Sequence, residues 1–271
     1  MKLIAESPSQ GIKNRVHLGN GGLGNLCARA RADGLKVLLS GEGSDELLYG
    51  YLRFERTRRA LQGVRDPQAV LRHLYFGGGI ESSALVQRLT AGVAEGAEAT
   101  APWQWLKANL DMPLGDLQML FSQRFRLQTL LQRQDRIGMA HGIEVRVPFL
   151  RPGFVAAANR MPQAMKYDCQ TGTTKLALRI ANDGVLPRRI LTKAKDGFPS
   201  DMLLWLREKK IYDLAMILVQ DSNGFSQNYL DGAEVRVLVE EHFAGRARQD
   251  TLVWNLLSLE IWHRMTNGEV I

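Results

Sequence analysis

The sequence predicts an α/β chain: a parallel sheet towards the N-terminal side, joined to a mainly helical remainder. Three observations carry this. Residues 24–33 have helical composition and run into Gly34, a residue suited to the left-handed conformation that ends helices. Leu35-Lys36-Val37-Leu38-Leu39 is a short apolar run with the character of a buried strand, and it leads straight into Ser40-Gly41-Glu42-Gly43-Ser44-Asp45-Glu46. Beyond Tyr51 the apolar residues fall at helical spacing. Helix, strand, loop, helix is the order that builds a parallel sheet, and such sheets take ligands outside the carboxyl ends of their strands, where the 40–46 loop lies.

The later elements follow from local chemistry. Gly77–Gly79 and the small-residue stretch 92–100 read as loops, and Pro102 is placed to open a short helix. Leu117, Leu120, Phe121, Phe125, Leu127, Leu130 and Leu131 form one apolar face and are expected in the core, with Asp135 and Arg136 closing that helix. Glu144 and Arg146 alternate with apolar neighbours and therefore share a face of an extended segment. Further helices are broken at Pro152, Pro162, Pro187 and Pro199, and the nearly all-apolar segment Leu252 to Trp262 is expected to be a buried helix.

With 271 residues, 45% apolar and 23% charged, the composition is that of a folded globular protein. The Leu252 to Trp262 stretch, interrupted by Asn255, Ser258 and Glu260, falls short of the roughly 20 apolar residues a membrane span needs. Residues 1–10 have no apolar core of a secretory signal, so a cytoplasmic location is expected. Cys27 and Cys169 lack metal-ligand spacing and read as ordinary thiols. The net charge of +7 raises the question of nucleic acid, but Arg53, Arg56, Arg58 and Arg59 read as a solvated helix face, with no nucleic-acid-binding pattern beside them.

Three stretches carry chemistry. In the 40–46 loop, Gly41 and Gly43 permit close ligand approach, and Ser40, Ser44 and the following amides are donors for phosphate oxygens. Glu42, Asp45 and Glu46 crowd the same turn, which suits a bound Mg²⁺ or a carboxylate that accepts a proton, or else a plain helix cap. Asp135 to Leu150 offers Glu144 and Arg146 either as a structural ion pair or as a substrate-binding carboxylate and guanidinium, and His141 reads as structural. Lys195, before Gly197, is either a solvated loop lysine or a mobile positive charge for a phosphate or oxyanion.

Taken in order, the Ser40 to Leu47 loop with Gly50 and Tyr51, the Asp135 to Leu150 stretch, Lys175 with Arg179, Leu186-Pro187 and Lys195-Asp196-Gly197-Phe198 resemble the synthetase domain of the glutamine-hydrolysing asparagine synthetase family, which includes β-lactam synthetases and lasso-peptide cyclases. The resemblance implies an incomplete adenine-nucleotide-hydrolase-like (PP-loop) fold. It implies ATP-dependent adenylation of a small-molecule or peptide carboxylate and displacement of AMP by an amine or ammonia. Glu42, Glu144 and Lys195 would be the catalytic groups. Ser40, Gly41, Gly43, Ser44 and Asp45 would bind nucleotide and pyrophosphate, with Asp45 on Mg²⁺, and Arg146 and Asp135 would be structural or substrate-binding. Two family parts are missing from this chain: the glutaminase domain with its leading Cys, where Lys2 stands, and the SGGxDS loop upstream of Ser40. A second chain supplying both is therefore expected; the other reading is a non-catalytic binding subunit. The glycine loop Gly77 to Val86 resembles SGGxDSS but lies on the wrong side of the 40–46 loop, so it is either a displaced phosphate site or a helix cap. Arg151 stands where the family commonly has Asp after Pro-Phe-Leu.

Overall fold

A computed structural model describes residues 20–64, 66–76, 100–193, 206, 208–247 and 249–267. The chain divides into two compact units, one built around residues 27–80 and 97–197 and the other mainly from 198–271.

Helix α1 (Asn20–Ala32), which belongs to the first unit from Cys27 onward, ends as its composition predicts. Gly34 has φ +79°, and the bonds Leu35 N–H to Ala30 O and Gly34 N–H to Arg31 O close a Schellman turn. Strand β1 (Val37–Leu39) follows and pairs in parallel with β2 (Glu144–Arg146), in the register Val37–Glu144, Leu38–Val145 and Leu39–Arg146. The expectation of a buried strand fails here: Leu39 is 74% exposed and Val37 38%. Among the described residues the sheet has two strands, so β1 lacks the flanking strands that bury a strand in a larger parallel sheet.

Beyond the short helix α2 (Ser44–Leu47) the unit is helical, as expected: α3 (Leu52–Ala60), α4 (Pro67–Phe76), α5 (Ala101–Lys107) and α6 (Leu114–Phe121) pack around Leu61, Leu71, Leu74, Trp103, Leu106, Leu117 and Phe121. Pro102 sits in the first turn of α5, and Thr100 caps it through Oγ1. The apolar face predicted from Leu117 to Leu131 is only partly buried. Residues Ser122–Arg126 wind as a π-helical turn before α7 (Leu127–Ala140), and each extra residue rotates the face by about 100°. Leu127 and Ile137 remain inside, Leu130 and Leu131 are half-buried, and Arg133 and Gln134 turn inward. Asp135 and Arg136 do not close α7; they lie on its exposed side, and the helix continues to Ala140.

The α7–β2 corner explains the small residues there. A side chain at Gly138 would stand 2.6 Å from the Ile143 carbonyl oxygen and 2.9 Å from Val145 Cγ2, while Gly142 turns the chain at φ +66°. Helices α8 (Pro152–Arg160), α9 (Gln163–Lys166), α10 (Leu176–Ala181) and α11 (Arg188–Leu191) complete the unit, with the hairpin β3 (Tyr167–Asp168) and β4 (Thr173–Thr174) between α9 and α10. Pro152 opens α8, while Pro162 and Pro187 precede α9 and α11 at their caps; Pro199 lies outside the described residues.

The arginine cluster on α3 is not uniformly solvated. Arg58 and Arg59 bracket Glu55, which is 8% exposed, and Arg53 donates to Ser122 Oγ and stacks 4.0 Å over the Tyr51 ring. Cys27 is buried, Cys169 exposed, and both are free thiols.

The second unit contains α12 (Lys209–Gln220), α13 (Phe225–Tyr229), α14 (Gly232–Phe243) and α15 (Asp250–Thr266). The predicted buried helix is present: Val253, Leu256, Leu257 and Ile261 of α15 join Leu218, Val219, Val235 and Val239 in its core. Glu260, fully buried on α15, accepts from the amides of Phe225 (2.8 Å) and Ser226 (2.6 Å) and so satisfies the start of α13. No described helix is long and apolar enough to cross a membrane.

Candidate active site

The loop leaving β1 is held open by bonds within it. Ser40 Oγ accepts from the Glu42 amide (3.3 Å) and from Gln134 Nε2 (2.5 Å), and Ser44 Oγ donates to the Gly41 carbonyl at 2.8 Å. The two glycines differ in kind. At Gly43, φ is +89° and a Cβ would stand 2.4 Å from Leu150 Cδ2, so both conformation and packing demand glycine there. At Gly41 nothing lies within 4 Å of the added carbon, leaving its backbone open to a ligand.

Behind the loop stands Lys175, itself at φ +53°. Its ammonium donates to Ser44 Oγ (2.8 Å) and pairs with Asp45 at 3.0 Å, while its amide bonds the Leu48 carbonyl. Gly50 makes room for this pair: a Cβ there would fall 1.9 Å from Asp45 Oδ1 and 2.4 Å from Lys175 Cε. The fully buried Glu46 accepts from the Tyr51 hydroxyl at 2.5 Å and thus serves the architecture of the turn. Burial, then the Glu46 charge, pushes the Tyr51 hydroxyl pKa far up, so it remains a donor.

The other wall comes from α7. Arg133, 7% exposed, places Nη2 3.5 Å from Glu42 Oε1, while its Nε and Nη1 have no partner among the described residues. Burial pulls its pKa down and Glu42 pulls it back. A buried guanidinium with two unused donors beside a carboxylate fits an anionic group on the ligand side. No set of three carboxylate, His or Cys side chains that could hold a metal occurs among the described residues, and Asp45, the expected Mg²⁺ ligand, is paired with Lys175.

Glu144 and Arg146 share the exposed face of β2, as the alternation predicts, and pair at 3.0 Å. The hydrogen bond from Ser40 N–H to Arg146 O (2.8 Å) ties the end of β2 to the start of the loop. Asp135 points away on the exposed side of α7. His141 ends α7 through its amide. Lys195 and the Gly77 to Val86 loop lie outside the described residues, but Arg179 holds the chain leading to Lys195: it donates to the carbonyls of Thr174 (2.7 Å), Leu191 and Lys193 (3.0 Å). Sequence reasoning did not single out Arg133 and Gln134, because polar residues on a helix have no local mark of burial, although Gln134 follows Leu130 and Leu131 at helical spacing.

These features define a class: an α/β chain whose Gly-Glu-Gly-Ser-Asp loop leaves the carboxyl end of a parallel strand and is braced by buried basic side chains. The chain matches the asparagine synthase family over residues 23–264, and it belongs to that family. It is 29% identical over 267 residues to a putative glutamine-hydrolysing asparagine synthetase of Mycobacterium tuberculosis, covering 87% of this chain and 40% of the relative. It is 27% identical over 257 residues to asparagine synthetase [glutamine-hydrolyzing] 1 of Bacillus subtilis, covering 84% and 40%. With the glutamine-hydrolysing asparagine synthetase of Mesocricetus auratus the identity is 25% over 231 residues, covering 80% and 32%. The chain spans about two fifths of the length of the bacterial relatives.

Proposed function

We propose that this chain is the synthetase portion of an ATP-dependent, AMP-forming carbon–nitrogen ligase that makes an amide from a carboxylate and an amine or ammonia. The observation that carries the reading is the Glu42–Arg133 pair beside the open backbone of Gly41, in a chain of the asparagine synthase family. Bound ATP with Mg²⁺ supplies the adenylyl group that turns the carboxylate oxygen into a leaving group. Ser40, Gly41, Ser44 and Asp45 would hold the nucleotide and its metal. Glu42 accepts the proton of the attacking nitrogen as the C–N bond forms and the bond to AMP breaks. Arg133 orients the Glu42 carboxylate, and its two unused donors meet negative charge on the substrate side. Lys195 stabilises charge in adenylation and amide formation, while Glu144, at the start of β2, is a second carboxylate.

An SGGxDS segment and a glutaminase, neither of which lies within these 271 residues, would complete the machinery, and the exposed β1–β2 pair is where a further parallel strand would extend the sheet. A location in the cytoplasm accords with this chemistry. A non-catalytic binding subunit is the other reading, favoured by the ties of Lys175 to Ser44 and Asp45, which occupy two phosphate-binding candidates.

The test is amide synthesis with Mg·ATP, ammonia and aspartate, with and without the candidate partner chain, read as AMP and pyrophosphate release. Glu42→Gln is expected to lower turnover by about 100-fold or more while leaving the circular dichroism unchanged. Near-normal turnover in that variant removes Glu42 from the chemistry, and the absence of AMP formation under every condition favours the binding subunit.

A further inference from the structure

Away from this site, a cavity of about 330 Å³ opens among α6, the π-helical turn, α8 and α9. Its floor contains Lys166, which is 2% exposed. Among the described residues the ammonium has one hydrogen-bond contact, to the Met119 sulfur at 3.9 Å, and a thioether is a weak acceptor. Asp116, on the cavity wall, attracts it electrostatically, but no ion pair to Lys166 forms among the described residues. Burial lowers the Lys166 pKa and Asp116 opposes that shift. Gln123 and Asn159, also on the wall, exchange amide bonds of 3.0 and 3.1 Å. Arg160, also on the wall, is exposed. Lys166 is thus a buried cation with only a weak acceptor, and the wall around it mixes polar side chains with Met112, Leu120 and Met161.

A buried ammonium without an acceptor is costly, and an anionic oxygen entering the cavity removes that cost. The volume lies at the lower end of the range for small-molecule sites. We propose that this cavity binds a small aliphatic carboxylate, its oxygens taken by Lys166 and its chain laid against the methionines. The site is separate from the Glu42 loop, and the proposal stands whether or not the chain proves to be a ligase.

The whole chain, labelled with ¹³C-methyl methionine, is titrated with hexanoate and, in parallel, with hexanamide, which has the same carbon skeleton and no charge. Hexanoate is expected to shift the Met112, Met119 and Met161 methyl signals saturably, with hexanamide at least tenfold weaker. Lys166→Met, of similar length and no charge, is expected to fold at least as well and to bind hexanoate at least tenfold more weakly; Lys166→Gln serves for the same comparison should that variant not fold. Equal binding of acid and amide, equal binding by the variant, or no shift of these methyls in the native chain would overturn the proposal.

Discussion

At the scale of single residues, the candidate site depends on a few atoms that admit no added volume or lost charge. Gly50 carries no function of its own, yet a methyl group there would overlap Asp45 and Lys175. Gly50→Ala is expected to cost roughly 1–3 kcal/mol in denaturant unfolding and to weaken nucleotide binding along with it. Glu55 illustrates a charge that matters to stability alone. Its hydrogen bonds to Arg58, and then to Arg59, overcome the burial that opposes them and bring its pKa from the ordinary 4.5 to about 2. A depressed carboxylate pKa contributes stability that is present above the unfolded value and is lost as pH falls through the folded one. Stability measured between pH 5 and pH 2 is thus expected to fall more steeply in the native chain than in Glu55→Gln; parallel curves would show that the arginines contribute nothing. Lys166 and Arg133 are opposite cases of buried cations, the first meeting a thioether and the second a carboxylate.

At the scale of elements, the π-helical turn at Ser122–Arg126 has the largest effect on the site. It sets the phase between α6 and α7, and from α7 Arg133 reaches Glu42 and Gln134 reaches Ser40. Deleting one residue from this turn is expected to restore the α-helical phase, break the Gln134–Ser40 bond and abolish amide synthesis, as assayed by AMP release; an active deletion variant would show that the phase is unimportant. In the C-terminal unit, α13 is only five residues long and begins on the carboxylate of Glu260. Charge-assisted bonds of this kind contribute appreciably when buried, so Glu260→Ala is expected to destabilise that unit by about 3 kcal/mol in chemical denaturation. Both features were illegible beforehand: Glu260 read as an interruption of an apolar helix, and its partners lie 34 and 35 positions away.

At the scale of the whole molecule, the parallel β1–β2 pair is exposed in a way that parallel sheets rarely are, with Leu39 at 74%. If a second chain adds a strand there, amide hydrogen exchange at Val37–Leu39 is expected to slow on mixing with a polypeptide carrying a strand and an SGGxDS loop. Unchanged exchange in a mixture that makes amide would place that partner elsewhere.

The sequence by itself determined the order helix, strand, loop, helix, the Gly34 stop, the proline-marked helix starts, the apolar C-terminal helix and the family to which the chain belongs, because each rests on local conformation or on ordered motifs. It also marked Glu42, Ser44, Asp45, Glu144 and Arg146, whose residue types and spacing are themselves the signal. Only the tertiary structure decided that Lys175 braces Ser44 and Asp45 from 131 and 130 positions away, that Arg133 faces Glu42, and that Gly43 is fixed by Leu150. The physical reason is that long-range contacts depend on where an entire element is rotated and packed, and one extra residue in a helical turn is enough to change which side chains are inside.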